Sequence, residues 1–212
     1  MPVPAITDVQ GIVFDLDGTL YAAPEFAATI QDEAVYYIAR IRGISAVEAC
    51  QLMSSTRKQL TEESGTVQTL SNVCTHLGGS ISELHACFEE RLRPEVYLER
   101  DQRVITLLQR LREHFCLYIY TNNNRALTTR ILAHLGLDGL FKQIFAIDDD
   151  WLAKPDEGKL ERILAVTGVP AERLLFVGDR YDIDLRVPEQ KGCPVFLSQH
   201  LDQLLRLEEL LK

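Results

Sequence analysis

Residues that could carry out chemistry are concentrated in four short segments, each of which directly follows an apolar run or lies soon after one. The first contains Asp15 and Asp17, which are two residues apart. The second begins at Thr121, the third contains Lys154, and the fourth is acidic and begins at Gly178. The segments are DLDGT at 15–19, TNNN at 121–124, AKP at 153–155 and GDRYDID at 178–184.

The acidic residues of the first and fourth segments favour a metal site. If Asp15, Asp17 and Asp179 lie close together, their carboxylates repel one another and raise each other's pKa. A hard divalent cation removes that cost, and carboxylates, a backbone carbonyl and water molecules are ligands that suit Mg²⁺. We therefore expect Mg²⁺ as the cofactor.

The remaining polar residues favour the binding of a phosphoryl group beside that metal. Thr19 and Thr121 supply hydroxyl donors, and Lys154 supplies an ammonium group. A carboxylate nucleophile, a metal, several donors and a positive charge are the physical parts of a phosphoryl-transfer site. Phosphoryl transfer is therefore the chemistry that these residue types predict.

Five apolar runs are predicted to be the strands that position these segments. Their continuous apolar character is typical of parallel strands that helices cover on both faces. In such a sheet the ligand lies at the carboxyl ends of the strands, where the four polar segments occur. The runs are residues 11–17, 115–121, 143–148, 174–179 and 194–198.

The pattern between the strands predicts an α/β fold with a Rossmann-like, doubly wound parallel sheet and an inserted α-helical cap. Helical patterns alternate with the later strands, whereas the stretch between the first two strands shows only helical patterns. A simple crossover needs far fewer residues than this stretch contains. We expect a catalytic core formed by residues 1–21 and 98–212, and a helical cap domain formed by residues 22–97.

Composition excludes several classes of partner. The chain has 212 residues, a net charge of −9 and no long apolar run. An acidic surface is repelled by nucleic acid and by anionic membranes, so neither is expected as a partner. Five cysteines without paired spacing and an N-terminus without a signal-peptide pattern favour a cytoplasmic protein. We expect a monomer or a weak homodimer.

The four segments together resemble the motifs of the haloacid dehalogenase (HAD) superfamily. Their order matches, and the helical stretch resembles the phosphatases of this superfamily that carry a helical cap between the first and second motifs. A weaker similarity extends to pyrimidine 5′-nucleotidases and to phosphoglycolate phosphatases. The matching residues are FDLDGTLY at 14–21, YTNNN at 120–124, AKPDEG at 153–158 and VGDRYDID at 177–184.

The resemblance implies a role for each residue of the catalytic group. Asp15 is the implied nucleophile, which forms an aspartyl-phosphate. Asp17 is the implied general acid, which protonates the leaving oxygen and then activates water as a base. Lys154 is implied to hold the nucleophile and to neutralise developing charge.

The resemblance also implies the residues that bind metal and phosphate. Asp179 is implied to bind Mg²⁺ together with Asp15 and the backbone carbonyl of Asp17. Asp184 is implied to hold a metal-bound water without binding the metal itself. Phosphate is implied to contact Thr121 and the backbone of Asn122. The turn that exposes both carboxylates is implied to contain Gly18 and Thr19. Asp182 receives no assignment.

The expected function is a Mg²⁺-dependent phosphomonoester hydrolase that acts on a small phosphorylated metabolite. Dehalogenation is disfavoured because a halide leaves without a proton, whereas an alkoxide leaving group needs the acid that Asp17 provides. Two alternatives remain: a catalytically weak HAD-like binding protein and a phosphosugar mutase. The sequence leaves the identity of the phosphate ester open.

Overall fold

The structure, a computed structural model, describes residues 8–211. These residues form two compact units. The first comprises the described residues up to Ala22 together with those from Leu98 onward, and the second comprises Ala23–Tyr97. No helix among the described residues combines the length and the apolar character that a membrane crossing requires.

A five-stranded parallel sheet is the centre of the first unit, which confirms the predicted fold class. The strand order is β3-β2-β1-β4-β5. In the register, Phe14 at the end of β1 lies opposite Ile119 of β2 and Val177 of β4. The three polar segments that follow these strands therefore leave the sheet side by side. The strands are β1 (Gly11–Phe14), β2 (Cys116–Tyr120), β3 (Gln143–Phe145), β4 (Leu174–Gly178) and β5 (Val195–Leu197).

The strands are shorter than the apolar patterns predicted. The first was predicted to continue to residue 17 but ends at Phe14, because the residues after it fold into a turn closed by the Gly18 N–H donating to the carbonyl of Tyr21. The third was predicted to continue to residue 148 but ends at Phe145, and Ile147–Asp149 forms one 3₁₀ turn. The acidic residues thus lie in turns beyond the strands.

The three longest helices of the first unit begin where a side chain accepts a hydrogen bond from the first turn. Asp101, Asn124 and Asp156 cap them in this way, because the first amides of a helix have no partner within it. Tyr181–Leu185 forms a five-residue π turn, which a short α-helix follows. The last helical stretch is divided into two short helices. The helices are α6 (Gln102–His114), α7 (Arg125–Leu135), α8 (Glu157–Thr167), α9 (Arg186–Gln190), α10 (Leu201–Leu204) and α11 (Leu207–Leu210).

The second unit is helical throughout its regular structure. Ser45 and Glu48 form a capping box at the start of its second helix. That helix ends at Ser64, and the next begins at Leu70, where Thr69 caps it. The helices are α1 (Pro24–Arg42), α2 (Ala46–Ser64), α3 (Leu70–His76), α4 (Ile81–Arg91) and α5 (Pro94–Tyr97).

Candidate active site

The turn after β1 places the first two acidic residues. The Asp15 N–H donates to the carbonyl of Val177 at 2.8 Å, which continues the β1–β4 ladder by one residue. Gly18 then adopts a φ of +87°, a conformation that favours glycine. A Cβ atom at this position would lie 2.5 Å from Oδ2 of Asp179. Glycine at position 18 therefore allows the carboxylate of the fourth segment to approach the first.

Lys154 joins two of the acidic residues through buried ion pairs. Its Nζ donates to Oδ1 of Asp15 at 2.6 Å and to Oδ1 of Asp184 at 2.8 Å. The Lys154 side chain is 1% exposed, and both carboxylates are buried. Charge-assisted hydrogen bonds of this length are strong and fix the geometry of the groups that form them. Lys154 therefore holds the Asp15 carboxylate.

Burial and charge act in opposite directions on this pair. Burial, followed by the nearby carboxylate of Asp184, raises the pKa of Asp15 to about 7, although Lys154 opposes the increase. Burial lowers the pKa of Lys154, but Asp15 and Asp184 raise it by more, so its pKa lies above the ordinary value. The ammonium group thus stays charged. Its single positive charge offsets only part of the increase in the pKa of Asp15 that burial and Asp184 cause.

The loop that carries Lys154 is fixed by its neighbours. The backbone N–H of Lys154 donates to Oδ1 of Asn122 at 2.7 Å, and its Nζ lies 4.7 Å from the centre of the Tyr120 ring. Earlier in the same loop, Asp150 accepts a hydrogen bond from the buried Nζ of Lys159 at 3.0 Å. The side chain of Asn122 therefore positions the lysine. The predicted contact between the Asn122 backbone and phosphate stays a prediction.

Three carboxylates form a group that could hold a metal ion. One oxygen from each of Asp15, Asp179 and Asp184 lies within 4.8 Å of the other two. Burial raises the pKa of Asp179 to about 6. Oδ1 of Asp179 is buried and has no hydrogen-bond partner among the described residues, and Nε of Arg180 lies 3.6 Å away. Hard oxygen ligands with an unsatisfied negative charge fit Mg²⁺.

Asp17 lies in a different environment from the other acidic residues. Its Oδ1 accepts a hydrogen bond from the hydroxyl of Tyr21, and its Oδ2 accepts one from Nδ2 of Asn123 at 2.7 Å. Within the described part of the chain, no side-chain oxygen of Asp17 belongs to the three-carboxylate group. Burial raises the pKa of Asp17, and these two hydrogen bonds oppose the increase.

The two threonines predicted to bind phosphate are both fully buried. Oγ1 of Thr19 donates to Oδ2 of Asp15 at 3.2 Å, so this hydroxyl holds the second oxygen of the carboxylate. Oγ1 of Thr121 accepts a hydrogen bond from the backbone N–H of Asn123 at 3.1 Å. The Thr19 hydroxyl therefore lies beside the Asp15 carboxylate. The contact of either threonine with phosphate stays a prediction.

The structure separates Asp184 from Asp182, the acid to which the sequence analysis assigned no role. Asp184 belongs to the carboxylate group, whereas Asp182 of the same loop does not, within the described residues. The acidic run 148–150 stabilises loops: Asp148 accepts from the N–H of Arg125, and Asp150 pairs with a buried lysine.

Sequence reasoning did not assign the partners of Asp17 and Lys154. Tyr21 is the last residue of the first motif and Asn123 belongs to the second, so both lie near the catalytic segments in the sequence. Their hydrogen bonds to Asp17 could not be predicted from spacing. The Tyr120 ring packs in the hydrophobic core, and Nζ of Lys154 also lies over its face.

Comparison with known proteins gives relatives of two activities. The chain is 25% identical over 191 residues to a phosphoglycolate phosphatase of Pectobacterium atrosepticum, covering 89% of this chain and 79% of the relative. It is 28% identical over 179 residues to an (S)-2-haloacid dehalogenase of Pseudomonas putida, covering 80% of this chain and 76% of the relative.

The fold has a close counterpart among solved structures. A HAD-hydrolase of Bacillus subtilis, solved with bound magnesium, superposes with a TM-score of 0.61 at 19% identity, covering 98% of this chain and 100% of that one. The family model of the haloacid dehalogenase-like hydrolases matches residues 9–190, which include all four polar segments. The chain therefore belongs to the haloacid dehalogenase-like hydrolase family.

Proposed function

We propose that this hydrolase is a Mg²⁺-dependent phosphatase that cleaves the monoester of a small phosphorylated metabolite through an aspartyl-phosphate. The observation that carries the proposal is the pairing of two acidic residues with different partners. Asp15 is held by the ammonium group of Lys154, and Asp17 is held by neutral donors outside the carboxylate group. Ester cleavage requires both a nucleophile and a separate proton donor.

The proposed reaction has two steps. A carboxylate oxygen of Asp15 attacks phosphorus, the bond to the leaving oxygen breaks, and protonated Asp17 gives its proton to that oxygen. Water then attacks the aspartyl-phosphate while ionised Asp17 takes a proton from it, which releases phosphate and restores both acids. Lys154 keeps Asp15 in place during both steps and offsets its charge.

The metal would be held by Asp15, Asp179 and the backbone carbonyl of Asp17. Bound Mg²⁺ supplies positive charge that lowers the repulsion between a phosphate ester and these carboxylates. Asp184, which accepts a hydrogen bond from Lys154, is proposed to orient the lysine as well as water on the metal.

The candidate substrates are suggested by the relatives and by the motif resemblance. The phosphoglycolate phosphatase relative makes phosphoglycolate one candidate substrate, and nucleoside monophosphates are another class to test. We propose that the helical unit, Ala23–Tyr97, is a cap that selects among these esters.

Haloacid dehalogenation is the second candidate, because a relative with 28% identity has this activity. A halide leaves as a stable anion, so that reaction gives Asp17 no proton to transfer. Dehalogenation also involves no phosphate group whose negative charge a divalent cation would have to balance. Both features favour the phosphatase over the dehalogenase.

The test is a panel of phosphate esters and one haloacid. Purified protein is assayed for released phosphate with phosphoglycolate, nucleoside monophosphates and sugar phosphates, and for released chloride with 2-chloropropionate. We expect phosphate release that EDTA abolishes and Mg²⁺ restores, and no chloride release. Asp15→Asn should abolish the activity, whereas Asp182→Asn, which alters an acid outside the carboxylate group, should retain it.

The alternatives give different results in the same panel. Chloride release without phosphate release would establish the dehalogenase. Isomerised sugar phosphate without free phosphate would indicate the mutase. Binding of an ester without turnover by any metal-loaded sample would support the binding protein.

A further inference from the structure

The carboxylate of Asp17 is held at both of its oxygens by neutral donors from two separate parts of the chain. Tyr21 is four residues away, in the same turn, and donates to Oδ1. Asn123 is 106 residues away, just beyond β2, and donates to Oδ2 at 2.7 Å. The two donors reach the carboxylate from the ends of neighbouring strands.

Both donors are themselves fixed. The backbone carbonyl of Tyr21 accepts the hydrogen bond of Gly18 that closes the turn, and the Tyr21 side chain is 7% exposed. The backbone N–H of Asn123 is bonded to Oγ1 of Thr121, and its side chain is buried as well. A carboxylate held by two fixed groups has little rotational freedom, so its orientation is set before any ligand binds.

We propose that Tyr21 and Asn123 are positioning residues that orient Asp17 for proton transfer to the leaving oxygen, which adapts this enzyme to phosphate esters of ordinary aliphatic alcohols. The inference rests on the proposed phosphatase function. It adds two positioning residues to the proposed active site. It also specifies the substrate as a phosphate ester with a poor leaving group.

The hydrogen bonds leave Asp17 able to transfer a proton. A carboxylate has about four lone-pair positions, and Tyr21 and Asn123 occupy two of them. The other two remain for the proton that passes to the ester oxygen as the phosphorus–oxygen bond breaks. An alkoxide leaves slowly without that proton, whereas a nitrophenolate leaves readily without it. Misorienting Asp17 should therefore slow the cleavage of poor leaving groups selectively.

The test compares two probe esters of nearly equal shape, phenyl phosphate and 4-nitrophenyl phosphate, in the Mg²⁺-loaded full-length protein. The variants are Tyr21→Phe and Asn123→Ala, and Asp17→Asn is the benchmark. The matched control is Tyr37→Phe, which removes a tyrosine hydroxyl bonded to the Glu83 carboxylate at 3.1 Å in the second unit. kcat/KM is measured because it reports the step in which the ester bond breaks.

We expect each positioning variant to lower kcat/KM for phenyl phosphate about tenfold or more beyond its effect on 4-nitrophenyl phosphate, in the same direction as Asp17→Asn. The control should leave the ratio of the two substrates unchanged. An equal loss on both substrates, or none, would overturn the positioning role while leaving the phosphatase intact. If the unmodified protein cleaves neither ester nor any member of the metabolite panel, the proposed function fails and this inference fails with it. Each variant removes the donor of a different oxygen, so either one that folds decides the question.

Discussion

Replacing Asp15 by asparagine is expected to stabilise the metal-free protein at alkaline pH. Burial and the neighbouring Asp184 raise the pKa of Asp15 from the ordinary 3.8 to about 7 in the folded state. The folded protein therefore holds this proton more tightly than the unfolded chain does. Stability falls as the pH rises from about 4 to about 7, because folding must then either bind a proton or bury a charge.

The size of the effect follows from the pKa difference. At about 1.4 kcal/mol per pKa unit, an ionised Asp15 costs the folded state about 4 kcal/mol above pH 7. Near pH 5 the cost is about 2 kcal/mol, since the folded state keeps the proton there. Asparagine has no such cost at either pH. The difference in unfolding free energy between Asp15→Asn and the parent should therefore grow by about 2–3 kcal/mol from pH 5 to pH 8.

The assay is urea unfolding of both proteins at pH 5 and pH 8 with EDTA present. Asp179 has its own raised pKa in both proteins, so the comparison isolates Asp15. Asp182→Asn is the matched control, and its difference from the parent should not change with pH in this way. Adding Mg²⁺ at pH 8 should stabilise the parent more than the variant, since the variant lacks one carboxylate ligand.

Two results would refute this reasoning. If the two proteins differ by the same amount at both pH values, Asp15 does not have a raised pKa. If Asp15→Asn is the less stable protein at pH 8, the lost ion pair with Lys154 outweighs the relief from burying a charge, and the opposing effects have been ranked wrongly.

Three further substitutions probe the metal group and the buried lysine. Gly18→Ala should raise the Mg²⁺ concentration needed for half-maximal activity, because its Cβ would lie 2.5 Å from Oδ2 of Asp179. Gly43→Ala is the control, since its φ is also positive but its Cβ would meet nothing within 4 Å. It should lower the free energy of unfolding in urea only by the cost of a left-handed backbone, about 1–2 kcal/mol. Asp179→Ala should raise the Mg²⁺ requirement at least tenfold in a metal titration, whereas an unchanged titration would remove it from the metal site; Asp182→Ala should leave the titration as it is. Lys154→Met should destabilise the metal-free protein by about 3–5 kcal/mol at pH 8, since two buried carboxylates lose their cation. A smaller loss at pH 5 would agree with protonation of Asp15, whose pKa is raised to about 7.

The fold and the convergence of the polar segments were predictable because they depend on pattern and topology. Continuous apolar runs predict parallel strands, and parallel strands bring their carboxyl ends to one edge. The strand ends were less predictable. Apolar residues such as Leu16 and Ile147 lie beyond the strands, in turns that hydrogen bonds close, and an apolar pattern does not distinguish a buried turn from a strand.

Side-chain pairing was the part that the sequence could not supply. The resemblance implied a role for Asp184 and none for Asp182, but the ion pair of Asp184 with Lys154 depends on the π turn over Tyr181–Leu185. Gly178 contributes as well, because a Cβ there would lie 2.4 Å from Cβ of Asp184. The hydrogen bond of Asn123 to Asp17 spans 106 residues and depends on the register of two strands, which no local pattern encodes.

The two acids of the first segment show how one short motif can supply two functions. Asp15 and Asp17 are identical side chains two residues apart, so their difference must come from their partners. Lys154 opposes the increase in pKa that burial causes at Asp15, and so favours the ionised form that a nucleophile needs. Among the described residues, no cation is bonded to Asp17; burial raises its pKa against the opposing hydrogen bonds of its neutral donors, which suits a group that both gives and takes a proton. Lys154 and Asn123 arrive from other strands, so this division of roles depends on the sheet that brings them together. A substitution that shifts β2 relative to β1 should therefore impair proton transfer even if every motif residue is retained.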